Sequence, residues 1–263
     1  SLELVEQFST QFPQSSLLPL NDMLKGRVLL ARGDSVEATD LTAAQADFQK
    51  ASEIFAVLVT ISPTPRTANQ ARLLLGRAEK RLNHPQKVIE ALTPLAEMIK
   101  KGESGSEEFV DALPTLGEAL FAEGRSSEAE TVLIDSLKTL PENSERRTAI
   151  LAKIVEVQTT QNKWVEVDAT LDDLAKADAS GEVLAQSAYS SSDQAVACKE
   201  WTQAQKLLNR VIAVGDQGRY YIHALSQLGT VLSQQGQPGQ AAEAYGQLVE
   251  AAKDDNLNAS IAS

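Results

Sequence analysis

Apolar positions along this chain recur on two scales. Within short stretches they return every three or four residues, the period of an amphipathic helix. The whole arrangement then returns every 37 to 41 residues. Its anchor is a small or medium apolar residue at Ala51, Val88, Ala129, Val167, Ala204 and Ala241, with spacings of 37, 41, 38, 37 and 37. One helical turn after each anchor stand Phe55, Leu92, Leu133, Leu171, Leu208 and Tyr245, and three residues further Leu58, Leu95, Ser136, Leu174, Val211 and Leu248. Ser136 is the exception in an otherwise apolar series. The pattern predicts one helix per unit with a continuous apolar stripe.

Upstream of each anchor lies a second periodic stretch, clearest in ARLLLGRAE around Gly76, ALPTLGEAL around Gly117 and ALSQLGTVL around Gly229. These glycines each stand twelve residues before their anchor. A glycine inside a helix costs about 1 kcal/mol relative to alanine, so its recurrence predicts two helices approaching too closely for a side chain. Gly124 and Gly236 occupy matching places between the two helices, where a left-handed residue would end the first of them. The unit is therefore a helical hairpin.

In this pattern the chain resembles the tetratricopeptide repeat family, whose unit has a Leu-Gly pair in helix A, a turn glycine, an alanine and then an aromatic or leucine in helix B, and a closing proline. Leu116, Gly117, Gly124, Ala129, Leu133 and Pro141 supply that set in the third unit, and Leu228, Gly229, Gly236, Ala241 and Tyr245 in the sixth. Val155 and Ser192 replace the helix-A glycine in units four and five. The resemblance covers nearly the whole chain and implies an all-α fold, an α-α superhelix or solenoid of antiparallel helix hairpins. Its units lie at about 17–63, 65–102, 106–141, 144–178, 181–215 and 218–252.

Unit one departs from the others. Its helix A, NDMLKGRVLLARG, contains Gly26, but the anchor Ala51 follows 25 residues later. The additional residues are expected to divide between a loop at Gly33 to Thr39 and an extension of helix B, along which Leu41, Ala44, Phe48, Ala51, Phe55 and Leu58 share one face. Residues 1–13 read as another helix B, closed by Pro13 as Pro63 and Pro141 close theirs, and the tail 253–263 reads as the start of a further helix. Arrays of this kind need polar capping units, so these ends predict a fragment of a longer polypeptide.

Composition agrees with helices: 43% of the 263 residues are hydrophobic and only 5% aromatic. The net charge of -12 disfavours nucleic acid and anionic lipid as partners. No apolar run is long enough to span a bilayer, and the first residues do not form a signal peptide. The single Cys198 can form no internal disulfide and reads as a packed or idle thiol. The sequence leaves the compartment open: analogy with divergent arrays of envelope assembly proteins favours a bacterial periplasm or cell envelope, with the cytoplasm as the alternative.

Nothing points to catalysis or to a cofactor. His84 and His223 sit in different units without a second ligand at helical spacing, and read as surface or turn residues. Phosphate loops and nucleophile elbows are absent from the sequence. Trp164 and Trp201, 37 residues apart and three before their anchors, are either exposed partner anchors or rings packed over the turn, and their shared repeat position favours packing. The stretch YSSSDQAVACK, residues 189–199, has three serines where helix A of unit five should bury apolar surface. It is expected to be the weakest joint, whether as a hinge or as a merely divergent repeat.

The resemblance implies a non-enzymatic scaffold that binds an extended segment of a protein partner in a concave groove lined by helices A. A regulatory module of a larger protein, with a catalytic or DNA-binding domain elsewhere, is the alternative. Leu73, Arg77, Pro114 and Glu118 do not form the carboxylate clamp of the chaperone-binding subtype. The residue after the small helix-A position is placed on the concave face: Arg27, Arg77, Glu118, Glu156, Asp193 and Thr230. Lys80 and Arg81 extend the basic end. The groove should thus be positive at units one and two and negative at units three to five, suiting a partner whose basic stretch lies against the acids.

Overall fold

The computed structural model describes residues 2–62, 64–215 and 220–252. Among them are thirteen α-helices, one short 3-10 turn and no strand. They form two compact blocks, Ser1–Thr139 and Leu140–Ser263. The first block contains α1 (Leu2–Gln11), α2 (Leu18–Val36), α3 (Leu41–Ile61), α4 (Pro65–Arg81), α5 (Pro85–Lys100), the 3-10 turn Ser106–Phe109, α6 (Ala112–Ala122) and α7 (Ser126–Lys138). The second contains α8 (Arg146–Thr160), α9 (Trp164–Ala177), α10 (Glu182–Ala197), α11 (Trp201–Val214), α12 (Tyr221–Gln234) and α13 (Pro238–Ala251). From α2 onward the even-numbered helices are helices A and the odd-numbered ones helices B.

Local chemistry starts several of these helices. Asp40 accepts a hydrogen bond from the Ala43 amide at 3.0 Å and so caps α3. Thr64 and Thr67 form a reciprocal box at the head of α4. Proline stands in the first turn of α4, α5 and α13, where its missing N–H costs nothing.

In each block, helices consecutive in the chain pack on each other and helices A also touch their neighbours, α2 to α4 to α6 and α8 to α10, which is a solenoid of hairpins. All six anchors are buried, as are Phe55, Leu92, Leu133, Leu171 and Leu208 one turn later. Tyr245, their counterpart in the last repeat, is 39% exposed. Ser136 is buried at its stripe position even though it is polar.

The helix-A glycines are contact glycines. A β-carbon on Gly76 would come within 2.5 Å of Leu92, one on Gly117 within 2.6 Å of Leu133, and one on Gly229 within 2.5 Å of the Tyr245 ring. Each meets the residue one turn past its own anchor. In repeat one Gly26 meets Phe55 in the same way, at 2.6 Å. Val155 and Ser192 hold the corresponding places in repeats four and five, and both are buried.

The expected loop from Gly33 to Thr39 is shorter than the spacing suggested. Helix α2 continues through Gly33 to Val36, and the ring of Phe48 occupies the space a β-carbon on Gly33 would need. Both helices of the first hairpin are therefore long. They close with two glycine–phenylalanine contacts, at Gly26 and Gly33, seven residues apart on α2 and matched by Phe55 and Phe48, seven apart on α3.

A turn residue in the left-handed region lies five places before five of the six anchors. It is Asn83 (φ 57°), Gly124 (φ 74°), Asn162 (φ 54°), Lys199 (φ 61°) and Gly236 (φ 72°). Only the two glycines were legible as such from sequence. Pro63 and the tail 253–263, for which a closing proline and a helix start were expected, lie outside the described residues.

Candidate partner-binding face

In the first block, helices α2, α4 and α6 line a depression of about 340 Å³ with Leu30, Asp34, Arg77, Lys80, Arg81 and Thr115 at its surface. Three of the expected basic residues are thus brought together. Their charges are not equally available. Lys80 forms an ion pair with Glu118 of α6. Arg81 bridges Asp34 at 2.7 Å and Glu37 at 3.1 Å, with its guanidinium 5.8 Å from the centre of the Phe48 ring. Arg27 and Arg77 are exposed and have no ion-pair partner among the described residues. Exposed leucines accompany Arg27 on α2: Leu20 and Leu24 are 57% and 46% exposed.

In the second block, Glu156 pairs with Lys153 one turn away at 2.6 Å. Asp193 accepts a hydrogen bond from Gln227 Nε2 of α12 at 2.7 Å. Thr230, also exposed, shares a 3.3 Å hydrogen bond with the Tyr245 hydroxyl. Of the three acids read from sequence, Glu118 lies in the first block and Glu156 and Asp193 in the second, and each holds a neutralising or donating partner.

A groove of about 560 Å³ runs between α8 and α10 of the second block. Ala149, Ala152, Val155 and Val183 line it together with Gln186, Ser190 and Gln194. These three polar residues fall at four-residue intervals and so form one line along α10. Gln186 and Ser190 make no side-chain hydrogen bond among the described residues, and Gln194 uses its Nε2 toward Asn162 at 3.3 Å. Reasoning from charge alone passed over this line. Its signal in the sequence is uncharged polar residues at one-turn spacing on a helix A.

The serine-rich stretch expected to be a weak joint is a continuous helix tied to both neighbouring helices A. Thr159 and Ser191 share a buried 2.8 Å hydrogen bond between α8 and α10. Ser192 Oγ lies 2.6 Å from the Tyr189 carbonyl oxygen and 3.1 Å from Gln227 Oε1 on α12. Burial, and secondarily the Asp193 charge, push the Tyr189 hydroxyl above its ordinary pKa, and its ring lies 5.4 Å from that of Tyr220.

The remaining candidates lie at helix ends or on the surface. Trp164 and Trp201 are half-buried first residues of α9 and α11. His84 precedes α5, its Nδ1 lying 2.7 Å from Glu79 Oε2, while His223 is exposed. Cys198 is exposed at the end of α10. Among the described residues no group of three His, Cys, Asp or Glu could hold a metal ion, and no helix is long and apolar enough to cross a membrane.

Hairpins with an anchor alanine or valine, a contact glycine in helix A and a left-handed turn define an α-helical repeat fold. The comparisons agree. Residues 222–247, which span α12 and most of α13, match the tetratricopeptide repeat family model. The C-terminal part of a TPR repeat-containing protein from Cytophaga hutchinsonii superposes with a TM-score of 0.60 at 10% identity, covering 98% of this chain and 92% of that one. A tetratricopeptide repeat protein from Parabacteroides merdae gives 0.53 at 10% identity, with 86% and 79% covered. The MamA protein gives 0.50 at 14% identity, with 71% and 95% covered. A search of curated proteins by sequence finds no match. The chain therefore has the tetratricopeptide-repeat fold in divergent form.

Proposed function

We propose that this protein is a non-enzymatic scaffold that holds extended segments of a protein partner on the faces formed by its helices A. The observation that carries this reading is the division of labour along each helix A. The contact position is buried in all six repeats, against helix B at the four glycines, while the next residue (Arg27, Arg77, Glu118, Glu156, Asp193 or Thr230) is exposed or half-exposed. Within each block, a stack of such helices offers a surface on which recognition falls mainly to residues that stability does not need.

In the first block the contact chemistry is basic. Arg27 and Arg77 are the free cations of that face, whereas Lys80 and Arg81 are already paired, so acidic side chains of the partner would meet Arg27 and Arg77. The ion pairs of Glu118 and Glu156 argue against a strongly basic partner segment in their vicinity. The test is affinity capture from a cell extract with the parent chain and with Arg27→Ala/Arg77→Ala, followed by measured affinity for the recovered protein. Weaker binding with reduced salt dependence in the variant supports the reading; capture and affinity that are unchanged remove the first-block face from it.

A further inference from the structure

We infer that the α8–α10 groove is a peptide-backbone site that takes an uncharged extended segment with apolar side chains at alternate positions. This rests on the reading of the helix-A faces as protein-binding and specifies what the second block would hold. The argument begins with spacing. Gln186, Ser190 and Gln194 advance four residues at a time along α10, which is about 6 Å per step at 1.5 Å per residue. An extended chain advances about 6.6 Å for every two residues. Successive members of the line therefore fall opposite alternate peptide groups of a segment lying along α10.

The chemistry of the three side chains suits that role. A glutamine amide both donates and accepts, as does a serine hydroxyl, so each can meet a peptide N–H or C=O without regard to sequence. Gln186 and Ser190 are uncommitted, and the Gln194 amide oxygen is likewise unused. Side chains of an extended segment alternate between two directions. One set would face Ala149, Ala152, Val155 and Val183, which are small or medium apolar residues, and the other set would face solvent.

Charge excludes the competing occupants. Lys153 and Glu156, the charged lining residues, form an ion pair at 2.6 Å, so the groove presents no net charge even though the chain carries -12. A charged segment would lose hydration there without gaining a partner. The groove is also held in place beneath the line, because the Thr159–Ser191 bond joins its two walls and Ser192 and Gln227 tie α10 to α12. A preformed site of this kind orders only the ligand on binding.

The experiment is selection of a displayed library of random, linear twelve-residue peptides on the whole chain, followed by synthesis of the enriched peptides as probes. The expected result is enrichment of uncharged sequences with apolar residues at every second position. Their affinity should fall about tenfold or more in Gln186→Ala/Ser190→Ala/Gln194→Ala, the effect of losing several hydrogen bonds, and should be the same at low and high salt. Methylating alternate peptide nitrogens of the probe should cause a similar loss. Ala149→Arg, an exposed change at the groove wall, should block the site by bulk while leaving the melting curve of the protein intact. Enriched peptides that bind the triple variant and Ala149→Arg as well as the parent overturn the inference. If those peptides are instead lost with Arg27→Ala/Arg77→Ala, the scaffold reading stands without it. A library that yields no binder to the parent chain overturns both.

Discussion

Leu133 rests on Gly117, where a β-carbon would lie 2.6 Å from its Cγ. The glycine is there because the leucine is. Gly117→Ala improves helix propensity by about 1 kcal/mol but must displace a fully buried leucine, and overpacking of this kind costs about 1–3 kcal/mol. The variant is expected to be destabilised. Gly246→Ala provides the opposite case within α13, since nothing lies within 4 Å of a β-carbon there. It should stabilise by about 1 kcal/mol. Thermal melting of the two variants beside the parent checks both signs.

Lys199 adopts φ 61° at the position where Gly124 and Gly236 stand in other repeats. A lysine in the left-handed region is disfavoured by about 1–2 kcal/mol, partly offset in glycine by its looser unfolded chain. Lys199→Gly should therefore raise stability by about 0.5–1 kcal/mol. Gly124→Ala, which meets no steric contact and suffers only from its φ of 74°, should lower it by about 1 kcal/mol. Denaturant titration of both variants gives the answer, and equal effects of the same sign would contradict the turn assignment.

Asp178 caps α10. Its Oδ2 accepts from the Leu184 amide at 2.9 Å and its Oδ1 from the Ser180 hydroxyl at 2.8 Å. Burial alone would raise this carboxyl's pKa, but the hydrogen bonds from Leu184, Ser180 and Gly181 together outweigh it and hold the group below the ordinary aspartate value. A depressed folded pKa contributes stability above the unfolded value of about 3.9 and loses it as pH falls through the folded one. Asp178→Ala should thus cost about 1 kcal/mol at neutral pH. The difference between variant and parent should shrink below about pH 4, as followed by melting temperature against pH.

How much of this was legible in the sequence follows from what each residue had to do. Anchors and stripe residues were readable because burial demands an apolar side chain at every return of the helical period, and Ala129, Val167 and Leu171 obey that demand. The contact glycines were readable because no other residue fits under Leu92 or Leu133. The left-handed turns at Asn83, Asn162 and Lys199 were not, since backbone conformation at a surface turn imposes only a soft preference on residue type. Gly33 misled for a related reason: a glycine that ends a helix and one that lies beneath a ring look alike until Phe48 is located. The candidate face was legible as a list of exposed charges. Its pairing was not, because Lys80 and Glu118 are 38 residues apart and meet only through the stacking of α4 on α6.

Arg32 and Asp47 close the first hairpin with a two-pronged ion pair in which the carboxylate is buried and the guanidinium half-exposed. The hydrogen bond to Asp47 raises the Arg32 pKa, so the guanidinium keeps its charge. Arg32→Ala leaves a buried acceptor without its cation and should cost about 1–3 kcal/mol. Arg66→Ala removes an equally well-formed but exposed pair with Glu108 and should cost less than about 1 kcal/mol. Comparable losses in the two variants, measured by chemical denaturation, would show that burial of Asp47 is not what matters.

The helix-A joints of the second block rest on Thr159, Ser191, Ser192 and Gln227, whereas the first hairpin of the other block closes on Phe48 and Phe55. Exposing apolar surface raises heat capacity and exposing polar surface lowers it. Melting the α8–α10–α12 joints therefore changes heat capacity by less per residue than melting the aromatic hairpin, and the free energy of those joints varies more gently with temperature. On cooling, when apolar burial loses its entropic drive, the polar joints keep more of their strength than the phenylalanine contacts do.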